Sequence, residues 1–212
     1  MATDLEGTPL SADEAMTRLI EGNRRFLRGE ARTSAFRRET LTDLAKAQRP
    51  YATVLGCSDS RVPPEWVFDA GLGELFVIRV AGNVFSPEVA GTLQYAGSYL
   101  ETRLFVVLGH EGCGAITAAL ATKHVGAQFR SHVQQLLTHI IPGLPDLDAS
   151  LSLEAQTSHA VECNVRWTVR QILDSPEGQA RLAEKRMKTV GAVYEIETGR
   201  VRFLPPDARK DQ

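Results

Sequence analysis

The sequence predicts an α/β fold: a central, mostly parallel β-sheet of about four strands plus an antiparallel edge strand, flanked by helices, with an N-terminal helical arm. Three observations carry this expectation. Short apolar runs bounded by turn residues recur at 51–56, 74–80, 103–108 and 188–196. Between them the apolar spacing switches to helical intervals, and strands that alternate with helices build parallel sheets with right-handed crossovers. Thr198-Gly199 then reads as a turn into a last short edge strand at 200–204. A length of 212 residues suffices for one sizeable core and does not require a second. Residues 1–212 are therefore read as a single domain, with 1–48 the helical arm and 49–205 the α/β core.

The elements follow in order. Ser11-Ala12-Asp13-Glu14 has capping-box spacing, and Met16, Leu19, Ile20 and Phe26 follow at helical intervals. A second short helix is expected from Glu39 to Lys46. The strand at 51–56 precedes a short helix near Pro63 to Phe68, whose two prolines suit a first turn. A strand at 74–80 leads into a helix from about Glu88 to Leu100. The strand at 103–108 leads into a helix that begins at Cys113 or Gly114. Pro142-Gly143-Leu144-Pro145 is a loop that ends the preceding helix, and a long helix covers roughly 151–173. Lys188 to Ile196 is the last main strand, and the polar tail Asp207 to Gln212 is expected to fray.

Composition narrows the function classes. Hydrophobic residues at 43% and charged residues at 24% are near globular norms, so the chain can bury a core. A net charge of −2 without a long basic run argues against nucleic acid or an anionic membrane as the main partner. No stretch approaches the roughly 20 apolar residues of a membrane span. Met1-Ala2-Thr3-Asp4-Leu5-Glu6 has neither the basic nor the apolar segment of a secretory signal. Three cysteines do not make a disulfide scaffold, so a reducing, cytoplasmic location is the simplest expectation. Cys163, on the long helix, is read as a small buried hydrophobe.

The chemistry is concentrated in two strand-end loops. Cys57 closes the run Tyr51-Ala52-Thr53-Val54-Leu55-Gly56, and His110 and Cys113 follow Leu104-Phe105-Val106-Val107-Leu108-Gly109, giving the pattern C-x52-H-x2-C. Two thiolates and an imidazole suit Zn2+. Ligands in parallel α/β sheets bind at the strand C-termini, so these loops can converge on one point. A structural zinc site would add a fourth Cys or His, whereas three protein ligands leave a position for water, the mark of a catalytic site. Gly112 and Gly114 permit close backbone approach beside Cys113, and amides at a helix N-terminus favour a thiolate there. Gly109-x-x-Gly112-x-Gly114 does not have the G-x-G-x-x-G spacing of a dinucleotide loop, and His110-Glu111 lacks the second histidine of a zincin. His124, His132, His139 and His159 show no ligand spacing and are read as surface residues.

The segments Cys57-Ser58-Asp59-Ser60-Arg61-Val62 and Gly109-His110-Glu111-Gly112-Cys113-Gly114 resemble the β-class carbonic anhydrases. The resemblance extends to Gly22-Asn23-Arg24-Arg25-Phe26, Phe76-Val77-Ile78-Arg79-Val80-Ala81-Gly82-Asn83 and Gly191-Ala192-Val193-Tyr194, so it covers most of the chain. It implies a zinc enzyme with Cys57, His110 and Cys113 as metal ligands, hydrating carbon dioxide reversibly to bicarbonate and a proton through zinc-bound hydroxide. Two thiolates and a neutral imidazole cancel the charge of Zn2+, so this metal should acidify water less than one held by three histidines. The resemblance assigns the help to Asp59, which accepts a hydrogen bond from the hydroxide, and to Arg61, which holds Asp59 ionised. In some members the aspartate instead becomes a fourth zinc ligand; an ordinary loop ion pair is the alternative for Asp59 and Arg61.

The same resemblance places Gln48, Phe76, Tyr95 and Gly114 at substrate-binding positions, with part of the wall supplied by a partner subunit. The alternative for the two aromatics is plain core packing. One subgroup binds bicarbonate at an inhibitory site with an arginine at the position of Arg79 and a tryptophan where this chain has Val54. That substitution argues against the site, although Tyr194 is a candidate member, and leaves Arg79 as an ion pair or subunit contact. A homo-oligomer is implied, a dimer or a dimer of dimers, with the N-terminal helices reaching across to a second subunit unless they cover their own sheet. Two other functions compete: hydrolysis of carbonyl sulfide or carbon disulfide on the same centre, and a zinc-stabilised binding module, which would require a closed four-ligand sphere.

Overall fold

The computed structural model describes residues 9–32, 41–42, 44–148 and 150–206. Five strands form one sheet: β1 (Ala52–Gly56), β2 (Leu75–Arg79), β3 (Leu104–His110), β4 (Lys188–Tyr194) and β5 (Val201–Phe203), in the order β2-β1-β3-β4-β5. All neighbours are parallel except β4 and β5. The expected sheet of about four strands with an antiparallel edge strand is the one observed. β3 runs two residues beyond its expected end because Gly109 and His110 pair with Val193 and Tyr194 of β4.

The alternation of side chains along the strands divides the core between the two faces of the sheet. Val54, Leu104, Val106 and Leu108 point to one face, where helix α1 (Ala12–Leu27) and the short α2 (Pro64–Val67) cover them with Ala15, Leu19, Val67 and Phe68. Leu55, Phe105, Val107 and Val193 point to the other. There they meet α3 (Pro87–Tyr99), α4 (Gly114–Val125), α5 (Ser131–Ile140) and α6 (Leu153–Asp174), through residues such as Leu93, Ile116, Ile140 and Val165. Burying a side chain of this size stabilises by about 1.5–3 kcal/mol, so each face is a substantial core.

Helix α1 starts as its sequence dictates. Ser11 Oγ accepts the Glu14 amide at 3.2 Å and Glu14 Oε2 accepts the Ser11 amide at 2.8 Å, which completes the capping box. Its apolar stripe covers one face of its own sheet, the alternative left open for it. Leu19 and Ala15 are fully buried against their own sheet. The physical reason is Asn23, which donates to the Val67 and Gly199 carbonyls at 3.0 and 2.9 Å and accepts the Val201 amide at 2.9 Å. One buried side chain thus ties α1 to α2 and to the β4–β5 turn. Of the short helix expected at Glu39 to Lys46, residues 33–40 and 43 lie outside the described residues, and Leu41, Thr42 and Leu44 are helical. The expected fraying of 207–212 also lies outside them.

A further helix, α7 (Pro176–Ala183), was not expected. Its signal was present: Pro176 cannot continue α6, and Ser175 caps the new helix by accepting the Gly178 amide at 3.1 Å. Helix α6 lies close on β3 and β4. A Cβ at Gly109 or Gly191 would come within 2.5 or 2.7 Å of Val165, so glycine at those two positions sets the depth of the helix.

Candidate metal centre

Register brings the ligands together. β1 and β3 are adjacent, with Gly56 opposite Leu108, so Cys57 leaves its strand one rung below His110 at the same end of the sheet. Cys113 follows at the N-cap of α4, after Gly112 takes a left-handed conformation at φ 61°. The two sulfurs and a ring nitrogen lie within 4.8 Å of one another, and all three side chains are buried. Cys57 Sγ and Cys113 Sγ are 4.0 Å apart. Two thiolates at about 2.3 Å on a tetrahedral zinc would be separated by about 3.8 Å, so the pair is spaced for that ion.

The tautomer of His110 is set by its neighbour. Nδ1 lies 2.8 Å from the Glu111 carbonyl oxygen, which can only accept, so Nδ1 carries the proton. Nε2 is buried and has no hydrogen-bond partner. A fully buried ring nitrogen with a free lone pair, aimed at two sulfurs, is a ligand in waiting, and its backbone partner is the usual orienting contact of a metal-bound histidine. Charge points the same way. Cys113 donates toward Cys57 and, with the Gly82 amide and His110, holds the Cys57 thiol below its ordinary range against the effect of burial. Cys113 is pushed up, first by that shared hydrogen bond and then by burial, while the Ala115 and Ile116 amides at the start of α4 pull weakly the other way. Burial lowers the His110 pKa, but the Cys57 sulfur and Asp59 more than offset it. The cluster favours a cation among its three donors.

Asp59 stands at the open side. Its Oδ2 is 3.8 Å from His110 Nε2. Arg61 grips it with two parallel bonds, Nε to Oδ1 at 2.9 Å and a terminal nitrogen to Oδ2 at 2.8 Å, and the Arg61 amide adds a third at 3.0 Å. These bonds, the Arg61 side chain first, hold the carboxyl well below the usual carboxylate range, which favours its ionised form.

A model of the carbonic anhydrase family matches residues 52–201, which include all of this centre. The chain belongs to the β-class carbonic anhydrases. It is 37% identical over 187 residues to a carbonic anhydrase of Mycolicibacterium smegmatis, covering 86% of this chain and 88% of that one. It is 35% identical over 190 residues to carbonic anhydrase 2 of Mycobacterium tuberculosis, covering 86% and 87%. The β-carbonic anhydrase of Coccomyxa, solved in complex with acetazolamide, superposes with a TM-score of 0.71 at 29% identity, covering 89% of this chain and 86% of that one. The reaction of this carbonic anhydrase is the reversible hydration of carbon dioxide.

The remaining expected positions of the carbonic anhydrase are less enclosed. Phe76, on β2, is half-buried with its ring centroid 6.2 Å from that of Tyr95. Tyr95 is 45% exposed, so plain core packing does not account for it. Tyr95 in turn stacks on Tyr99 at 5.3 Å. Gly114 is the first residue of α4, exposed, with open space where a Cβ would be. Gln48 is exposed in the segment that enters β1. A cavity of about 350 Å³ between α3 and α7, lined by Phe85, Leu93, Ile172 and Met187, contains no residue of the centre.

Three further residues shape the centre, and of these the sequence reading weighed Arg79 alone. Among the described residues no ion pair of Arg79 is seen; its Nε donates to the Cys57 carbonyl at 3.0 Å and a terminal nitrogen donates to that of Asp59, bracing the loop from β2. Glu111 fixes His110 through its carbonyl and anchors its own loop by accepting the Ile196 amide at 3.1 Å. The Gly82 amide donates to Cys57 Sγ at 3.3 Å. Two of these three act through backbone atoms, which no residue-type pattern reveals.

Proposed function

We propose that this carbonic anhydrase works with one Zn2+ per chain on Cys57, His110 and Cys113. The observation that carries the proposal is the buried, partnerless Nε2 of His110 facing two thiols. Zinc supplies the Lewis acidity that makes water a nucleophile near neutral pH. Asp59, held by Arg61, would accept a hydrogen bond from that nucleophile without taking its proton, and so turn its lone pair toward carbon dioxide. The substrate is uncharged, so Phe76 and Tyr95 offer it an apolar wall, and the Gln48 amide and the Gly114 backbone N–H offer donors to its oxygens. Three protein ligands and an ionised Asp–Arg pair beside them support an enzyme over a zinc-stabilised binding module.

The functional unit is a homodimer or a dimer of dimers. β2 is an edge strand, paired only with β1 among the described residues. Beside it Tyr95 and Tyr99 are 45% and 74% exposed, a contiguous aromatic surface. An uncovered strand edge next to exposed aromatics is a surface that a second copy would bury. A reducing compartment such as the cytoplasm suits two free thiols 4.0 Å apart, which an oxidising one would tend to join.

Stopped-flow measurement of carbon dioxide hydration on metal-analysed protein tests the reading. Activity should rise in proportion to zinc, reach its plateau at one ion per chain, vanish with a chelator and return with added zinc. Full activity in metal-free protein would overturn it.

A further inference from the structure

We infer that Asn164, assisted by Thr168, is a positioning residue for the Cys57 thiolate, acting through the backbone of Gly82. The inference rests on the zinc reading above and goes beyond it. A zinc with two thiolates is a weak acidifier of water because its ligands return so much charge to it. An N–H bond to one sulfur draws charge off that ligand, and hydrogen bonds to ligand atoms are a general means of tuning a metal. Here the bond is Gly82 N–H to Cys57 Sγ, at 3.3 Å in a buried setting.

That amide points at the sulfur only because its turn is held in an uncommon shape. Gly82 lies in the one-turn 3-10 helix Ala81–Asn83 with φ 66° and ψ 20°, and Asn83 follows at φ 44°. Two successive left-handed residues, one of them not glycine, persist only where the surroundings over-determine them. Two restraints do so. A Cβ on Gly82 would fall 2.7 Å from Ile140 Cδ1 and 3.3 Å from Ala115 Cβ, so apolar packing closes one side. On the other, α6 presents two donors one turn apart: Asn164 Nδ2 to the Gly82 carbonyl at 2.9 Å, and Thr168 Oγ1 to the Asn83 carbonyl at 3.2 Å.

Both donors are 1% exposed, and Asn164 sits among Val161, Val165 and the rest of an apolar cluster. Burying an amide there is costly; its Nδ2 is bonded to the Gly82 carbonyl and its Oδ1 has no partner, so the site keeps Asn164 against an unfavourable term. Flipping it would set oxygen against the Gly82 carbonyl oxygen, so the amide has one workable orientation. α6 is itself fixed by the close approach of Val165 to Gly109 and Gly191. The path therefore runs from a rigid helix, through one amide, to the sulfur.

Cobalt-substituted protein separates positioning from mere support. Wild type should bind one Co2+ and show the thiolate-to-cobalt charge-transfer absorption of two sulfur ligands; failure at this step refutes the zinc reading itself. Asn164→Ala should keep that stoichiometry but shift the band, weaken zinc affinity about tenfold, the scale for orienting contacts, and move the acid limb of the kcat/KM profile to higher pH. Thr168→Val should do the same to a smaller extent, and it carries the test with Asn164→Ser if Asn164→Ala does not fold. Val169→Ala trims the same helix without touching the turn, and should change neither the band nor the pH profile. An unchanged band and profile in the folded Asn164 and Thr168 variants, or an equal shift in Val169→Ala, would overturn the proposal.

Discussion

The metal centre and the aromatic surface beside β2 lie in the same molecule but are finished to different degrees. Around the metal ligands one chain supplies everything: His110 is fully buried, its tautomer is set from within its own loop, and Asp59, Arg61 and Arg79 interlock. Among the described residues β2 pairs only with β1 and its other edge is uncovered, and Tyr95 and Tyr99 stack in solvent. Metal chemistry needs fixed geometry and low dielectric, which adjacent strand ends provide locally. A pocket for a small uncharged substrate needs only apolar walls, and a second copy can bring one of them. The contrast suggests that metal binding belongs to the single chain and that full activity belongs to the assembly.

Breaking the finished region should cost most. Cys57→Ser replaces a thiolate with a neutral hydroxyl, a far poorer zinc ligand. Metal analysis should find less than about a tenth of an ion per chain, and carbon dioxide hydration should fall with it, a loss beyond the 10–100-fold scale of outer contacts. Full zinc in that variant would show that the ligand set is misassigned.

Asp59→Ala should be next. Positioned acid–base groups contribute about 10²–10⁴ in rate, so kcat should drop on that order while zinc stays near one per chain. Arg61→Ala should lose less, and the double variant little more than Asp59→Ala alone, since the two act as one unit. Additive losses would reduce the pair to a structural ion pair.

The open region should respond through assembly instead. Tyr99→Asp changes an exposed side chain, so the folded chain should be affected by no more than about 0.5 kcal/mol. Light scattering should show a shift toward smaller species, and activity per zinc should fall about tenfold when one wall of the site is lost. An active, fully assembled Tyr99→Asp protein would show that this surface is not the interface.

The smallest effect concerns the face of the sheet covered by α1. Burial, resisted by Arg18, which stacks 4.4 Å above the ring, raises the Tyr51 pKa to about 12. A folded pKa above the unfolded value of about 10 stabilises the protein below pH 10, and the contribution is lost as pH climbs through 12. Tyr51→Phe has no such proton to lose. Its alkaline unfolding midpoint should lie higher than that of wild type, an effect of at most about 3 kcal/mol. An identical midpoint would place the alkaline weakness elsewhere.

Much of this was legible beforehand, for reasons that differ by element. The capping box at Ser11, the apolar runs of β1 and β3 and the turn at Thr198-Gly199 are local signals, and each folds as its residues indicate. α7 was missed although Ser175-Pro176 announces it, because a helix of 8 residues directly after one of 22 blurs into its neighbour. For the N-terminal arm the sequence left two options open, since an apolar stripe is equally suited to a partner or to its own sheet; Asn23 and the buried Ala15 and Leu19 hold it on its own sheet.

The sequence by itself determined which atoms can take part: two thiols and an imidazole at strand ends, with a carboxylate and a guanidinium two and four residues past the first of them. Side-chain chemistry is carried by residue identity, so a linear reading recovers it. Tertiary structure alone decided how those atoms are held. β1 lies against β3 across 47 intervening residues of chain, His110 takes its tautomer from a carbonyl, and the Cys57 sulfur receives an amide held from α6, 82 residues beyond Gly82. Those contacts use backbone groups common to nearly every residue, so their pairing is decided by the packing of distant elements.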